Sequence, residues 1–374
     1  MRMRNKLSQD NVSYVVNNTG LADCVRYLIN AADLELFFTE NPALFNALIN
    51  KSKSVAADAI ISGNEHSLYE LHRSLFELYN MNIREPRPGQ DDNHSSAFLM
   101  SVRNTLEGYV EQQESKQVEK FDVEHLDGQD FLNHIKEIWK SNSTPEHEIF
   151  HFMEHKANRA QFNTYFKNDY MLNIRFYDLI VYSLIGIDEE VRPEVAENFW
   201  DEVGKGNPAH THVRLYKNIF DELGLSLDES MLSDELNWQA LEGYNLLMRH
   251  VINRKNYFKS LGSLAITELA DPQQYERFVA GCKRVGLGEN SQLLQYYEEH
   301  ISVDTIHGDG WLNNVILPLI TKYPEAKQDI IFGCYVRLNT SKAYWDSLYQ
   351  KLLAQESSTS AIQYTPSGEA LILS

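Results

Sequence analysis

The sequence predicts an all-α protein, and three observations carry that prediction. Gly 18 and Pro 10 in 374 residues fall below the usual ~7% and ~5%, so the chain has few of the residues that punctuate turns. Leu, Phe, Tyr and Ile recur at three- and four-residue spacing through segments such as 68–79, 146–166, 235–261 and 343–353, which is the stripe of an amphipathic helix. Sustained period-two alternation, the mark of half-buried strands, is absent.

In chain order, a helical arm is expected over about 20–83. Residues 84–96 hold two prolines, a glycine and no apolar side chain, so they read as an exposed linker. The expected organisation is therefore an N-terminal arm and linker over 1–96, a main helical body over 97–355 and an irregular tail over 356–374, which follows the polar stretch 355–360 and ends Ala370-Leu-Ile-Leu-Ser374. Proline at or near the first helical position marks helix starts at Asn207-Pro208, Asp271-Pro272 and Tyr323-Pro324-Glu325.

Hydrophobic residues at 43% and aromatics at 11%, with 20 Tyr and 17 Phe, supply a core and exclude wholesale disorder. Lys and Arg number 34 against 53 Asp and Glu, a formal charge of −19. Such a chain repels phosphate backbones and anionic lipid heads, so neither nucleic acid nor membrane is an expected partner. No apolar run approaches the roughly 18 residues of a membrane span, and the charged residues 1–7 lead into no apolar stretch, so a cytoplasmic protein is expected. Cys24, Cys282 and Cys334 are odd in number, far apart and free of Cys-x-x-Cys pairing, giving neither a disulfide framework nor a thiolate site. Any metal would be held by carboxylates and the 13 His, a ligand set suited to iron, manganese or zinc.

Four segments carry candidate chemistry. In Tyr296-Tyr-Glu-Glu-His300-Ile-Ser-Val-Asp304-Thr-Ile-His307, helix geometry at 100° per residue places His300, Asp304 and His307 on one face within about 60°. A chance match to His-x3-Asp-x2-His is expected roughly 0.03 times in a chain of this composition. In Asn198-Phe-Trp-Asp201-Glu202-Val-Gly204-Lys-Gly206-Asn-Pro-Ala-His210-Thr-His212, Glu202 closes a helix that Gly204 and Gly206 stop, and Asn207-Pro208 opens another carrying His210 and His212; an ordinary helix connection with a surface carboxylate is the structural alternative. Glu268 sits in the apolar stretch following Gly262, where an unpaired carboxylate is costly, so it is either at an exposed helix end or matched by a cation. His151-Phe-Met-Glu154-His155 matches the H-x-x-E-H peptidase pattern, and Glu148-x-x-His151 is half of a ferritin-like di-metal set. No second Glu-x-x-His accompanies it and the mixed α/β context is missing, which favours an amphipathic helix with partly exposed histidines.

Taken together these segments resemble the iron-containing redox enzymes of the haem-oxygenase-like fold, which carry a non-haem di-iron centre in place of haem. The likeness runs over most of 145–350, through Arg175-Phe-Tyr-Asp-Leu179, the Asn198–Gly206 block with His212-Val-Arg-Leu-Tyr216, Gly262 to Glu268, Arg284-Val-Gly-Leu287, and Tyr296 to His307 with Trp311. The resemblance implies a haem-oxygenase-like helical bundle and six metal ligands: Glu202, His212, Glu268, His300, Asp304 and His307. Some members add a carboxylate seven residues after the first Glu; here that position is Ala209. It further implies two ferrous ions, with manganese as the alternative metal, and O₂ as co-substrate. The outcomes implied are amine N-oxygenation, desaturation or C–C cleavage of a small-molecule substrate, with room for an external electron donor and a homodimer. Two rival readings stand beside this: a non-catalytic helical interaction protein on the same scaffold, and true haem chemistry, which needs one proximal His and an open pocket.

Overall fold

The computed structural model describes residues 6–85, 93–118, 120–228, 231–289 and 292–360, and leaves outside the described set the side chains of Asp271, Ser302, Asp304, Thr305 and 356–360. The centre of the expected linker, 86–92, and the tail beyond 360 also lie outside the described residues. Among the described residues the fold is all-α, without a β-strand. The helices are α1 (Gln9–Asn18), α2 (Leu21–Ile29), α3 (Leu34–Glu40), α4 (Pro42–Ser62), α5 (Glu65–Asn80), α6 (Ala97–Gln117), α7 (Gly128–Ser141), α8 (Glu148–His155), α9 (Arg159–Leu184), α10 (Arg192–Glu202), α11 (His212–Leu223), α12 (Leu232–Glu235), α13 (Trp238–Ile252), α14 (Tyr257–Arg284), α15 (Gln295–Gly310), α16 (Leu317–Lys322) and α17 (Lys327–Ser360). No helix among them is long and apolar enough to cross a membrane.

The chain forms two compact units, Met1–Phe121 with Asp228–Asn256, and Asp122–Leu227 with Tyr257–Ser374. The first unit thus takes in more than the arm expected over 1–96. α6 buries Leu99, Val102 and Leu106, and α13 packs on α5 through an almost wholly buried run from Gly243 to Val251. Half-buried Arg26 bridges Glu77 and Asp234 at 2.7 and 2.9 Å, and the buried Tyr79 hydroxyl donates to buried Glu107 at 2.7 Å. The C-terminal end of the expected linker is pinned by hydrogen bonds. The Asn93 amide donates to the carbonyls of Ile29, the last residue of α2, and Ala31 just beyond it, and buried Ser96 accepts from Leu99 N at 3.3 Å as the N-cap of α6.

In the second unit α14 is central and packs on α8, α15 and α17. Its crossing with α17 is close because a glycine on each helix faces the backbone of the other helix. A Cβ on Gly262 would run into the Ile330 carbonyl, and one on Gly333 into that of Lys259. An aromatic core of Phe162, Tyr165, Phe166, Phe278 and Tyr297 fills the space between α9, α14 and α15.

The periodic stretch 146–166 is interrupted: Asn158 and Gln161 form a capping box, each side chain satisfying the other's backbone N–H, so α8 stops and α9 starts. The helix start expected at Asp271-Pro272 does not occur, because α14 runs straight through Pro272. Packing on α15 and α17 outweighs the local signal, and Pro272, lacking an N–H, leaves the Glu268 carbonyl without its intrahelical donor. Tyr323-Pro324-Glu325 does open a helical turn that leads into α17.

Candidate metal centre

The centre is assembled where α10 ends and α11 begins. α10 stops at Glu202, and Gly204, Lys205 and Gly206 all take positive φ, 64°, 53° and 83°. Two glycines make this reversal cheap; Lys205 holds the left-handed conformation with its Nζ 3.0 Å from Asp201 Oδ1. A Cβ on Gly204 would meet the backbone of His210 and Thr211, so the returning chain passes directly over the turn. α11 then opens at His212, capped by Thr211, whose hydroxyl accepts from Arg214 N at 3.1 Å. The Asn207-Pro208 pair does not open that helix as expected. The Asn207 side chain accepts from Ala209 N at 3.1 Å and closes a turn, which leaves His210 exposed and only His212 helical.

Three of the six predicted ligands converge in one place. Glu202, His212 and His300 are all buried, and a ligand atom from each lies within 4.8 Å of the others. His212 Nδ1 is 3.0 Å from Glu202 Oε2, yet it has no aligned hydrogen-bond partner. A buried imidazole nitrogen and a buried carboxylate this close, paired by charge but out of hydrogen-bond alignment, are a donor pair that a cation would join. His300 is prepared for the same role: its Nδ1–H is directed at the Tyr296 carbonyl at 2.6 Å, which turns Nε2 outward as the free ligand atom.

Glu268 and His307 make a second pair, with His307 Nδ1 3.6 Å from Glu268 Oε2. Both are buried. Each is held from behind by α10: Asn198 Nδ2 donates to Glu268 Oε1 at 3.0 Å, and Asp201 Oδ2 lies 3.1 Å from His307 Nε2. α15 carries His300, Asp304 and His307 on one helix as the spacing requires; the Asp304 side chain lies outside the described residues. The supports Asn198 and Asp201 escaped the sequence reading as functional residues. Their signal was positional, since Asn198 is one helical turn before Glu202 and shares its face.

Electrostatics separate the three histidines. Burial, reinforced by His212 and His307, holds His300 well below the usual range and keeps it neutral. Burial also opposes the charged form of His212, but Glu202 outweighs it and the net direction is up. For His307 burial is overcome by Glu268 and Asp201, which raise it to about 9. In the metal-free protein a protonated His307 therefore supplies positive charge between two carboxylates.

A cavity adjoins these ligands, with an empty volume of about 750 Å³, its opening included. Glu202, Glu268, Tyr296 and His300 form one part of its wall. α9 contributes Tyr165, Asp169, Leu172, Asn173 and Phe176, and α17 contributes Arg337, Leu338, Ser341 and Trp345. Both sets follow the three- and four-residue spacing of a single helix face. The Tyr296 hydroxyl donates to Asn173 Oδ1 at 2.6 Å, and Asn173 Nδ2 donates to Asp169 Oδ2 at 2.8 Å, a chain that links the helix of His300 to a buried acid.

His151, Glu154 and His155 also bring ligand atoms within 4.8 Å of one another, but on α8 and with both histidines exposed. They stand apart from the cavity-lining set.

No curated protein matches the chain. Residues 163–342 match the family described as iron-containing redox enzymes. That segment, similar to iron-containing redox enzymes, contains all six predicted ligands.

Proposed function

We propose that this protein is a non-haem di-iron oxidase or oxygenase that uses O₂ to oxidise a small organic substrate in the cavity beside Glu202, Glu268 and His300. The observation that carries the reading is the His212 nitrogen, buried 3.0 Å from Glu202 and without a hydrogen-bond partner. Glu202, His212 and His300 would hold metal on one side of the centre, and Glu268 with His307 on the other. Asp304 stands on α15 between the two histidines of that helix. Three carboxylates and three imidazoles match two ferrous ions closely in charge, and the set suits manganese equally. Ferrous ions held by these residues would supply the reducing chemistry toward O₂, with an external donor as the source of electrons.

The chain's own residues do the rest. Tyr296 and Asn198 orient His300 and Glu268, Asp201 holds His307, and the aromatic wall of Tyr165, Tyr275 and Trp345 limits water around the reacting groups. Amine N-oxygenation, desaturation and C–C cleavage are the outcomes open to such a centre. The test is O₂ consumption by anaerobically iron-loaded protein on rapid mixing, followed by a compound screen. Stoichiometric O₂ uptake, accelerated by some compounds and abolished in His300→Ala, supports the reading. Iron-loaded protein that leaves O₂ untouched contradicts it.

A further inference from the structure

The metal centre makes no use of His151-Phe-Met-Glu154-His155, which lies in α8. This short helix buries Ile149, Phe150, Phe152 and Met153, so His151, Glu154 and His155 are left together on its outer face at spacings i, i+3 and i+4. Both histidines are exposed and Glu154 is half-buried. A carboxylate oxygen and one nitrogen from each ring lie within 4.8 Å of one another.

These distances approach those of a coordination shell. A tetrahedral ion with ligands at about 2.0–2.1 Å holds them about 3.4 Å apart, and His155 Nε2 is 3.4 Å from Glu154 Oε2. The His151 and His155 rings are inclined at 69° with centroids 4.5 Å apart, edge to face rather than stacked, so one nitrogen of each can reach a common ion. Closing the remaining gap asks only for rotation of exposed side chains.

The backbone beneath them is fixed. Gly281 of α14 comes so close to α8 that a Cβ there would run into the Met153 carbonyl. The Arg284 guanidinium donates to the carbonyls of Met153, Glu154 and Ala157 at 3.1, 2.7 and 2.6 Å, and Phe150 meets Trp345 edge to face. The ordering cost of binding an ion therefore falls on three side chains and not on the helix.

We infer that His151, Glu154 and His155 form a second metal site that binds one zinc ion on the surface of α8, apart from the proposed iron centre. Among the described residues no fourth His, Cys, Asp or Glu joins the group. With no ligand from another segment the peptidase pattern is incomplete, Glu154 takes the third position, and water fills the rest. Zinc outranks ferrous iron on imidazole and carboxylate donors, so ferrous iron is lost from this open site on desalting while zinc stays.

Zinc is titrated into the full chain after anaerobic ferrous loading, in competition with a chromophoric chelator, and both metals are counted per chain after desalting. Wild type should retain one more zinc than a His151→Ala, His155→Ala double variant. Its affinity should be higher by at least about 10- to 100-fold, the loss that follows removal of even a supporting residue. Glu154→Gln should weaken zinc by about tenfold or more and carries the test if the double variant does not fold. His300→Ala should keep the extra zinc. Equal zinc in wild type and the double variant, or zinc that the double variant keeps and His300→Ala loses, overturns the proposal. A zinc difference in protein that takes up no iron would sink the di-iron reading alone, whereas full iron uptake without a zinc difference would sink this site alone.

Discussion

Asp201 Oδ2 lies 3.1 Å from His307 Nε2, while Lys205 Nζ holds the other oxygen of the same carboxylate at 3.0 Å. This arrangement ties the His307 imidazole to the left-handed Gly204–Gly206 turn. The carboxylate behind the ring fixes which nitrogen faces Glu268. Supports of this kind typically change metal affinity by about 10- to 100-fold when removed. Asp201→Asn should therefore lower ferrous affinity by that order in an anaerobic titration. An unchanged titration would show that the contact only packs the turn.

The charge on His307 sets a pH dependence. Its pKa is raised to about 9, because Glu268 and Asp201 outweigh burial. A raised value means that the stabilisation is complete below the unfolded value of about 6.5 and is lost as pH rises through about 9. Metal-free protein should therefore melt progressively lower from pH 7 to pH 10. Metal must displace that proton, so the apparent ferrous affinity should rise by up to about tenfold per pH unit until about pH 9. Both slopes should flatten in His307→Ala, as differential scanning fluorimetry and calorimetric proton release would show.

The facing glycines of α14 and α17 predict a packing cost. A methyl group on Gly262 has the Ile330 carbonyl in its place, and backbone at a helix crossing cannot move aside as a side chain does. Gly262→Ala should lose about 1–3 kcal/mol of stability by denaturant titration. It should also weaken iron binding, since Glu268 is on the same helix.

Asp169 is buried, and burial raises its carboxyl to about 6 from near 3.8. The ionised form is therefore favoured less in the folded protein, and the associated stability, full below about pH 4, is lost as pH rises through about 6. Asp169→Asn retains an acceptor for Asn173 without the charge. It should raise stability at pH 8 on the order of 1–3 kcal/mol and remove the slope between pH 4 and 6. A variant with an unchanged slope would rule out this carboxyl as its source.

Much of this was legible in the sequence for physical reasons. Helical periodicity announces α5, α9 and α17, and the spacing of His300, Asp304 and His307 needs only 100° per residue to predict a shared face. The two glycines after Glu202 announce the turn that brings His212 back. What stayed hidden depends on tertiary packing. Pro272 reads as a helix start because its local preference is strong, and only the neighbours of α14 keep that helix continuous. The turn at Asn207 hinged on which donor its side chain would take. Arg337, distant from every motif, reaches the cavity only through the crossing of α14 and α17.

Metal counting after anaerobic ferrous reconstitution and desalting tests the centre most directly, with the wild type beside Glu202→Gln and a His300→Ala, His307→Ala double variant. Close to two irons per wild-type chain, falling below one in the double variant, is the predicted result. Substoichiometric iron in the wild type, or undiminished iron in the double variant, would contradict it.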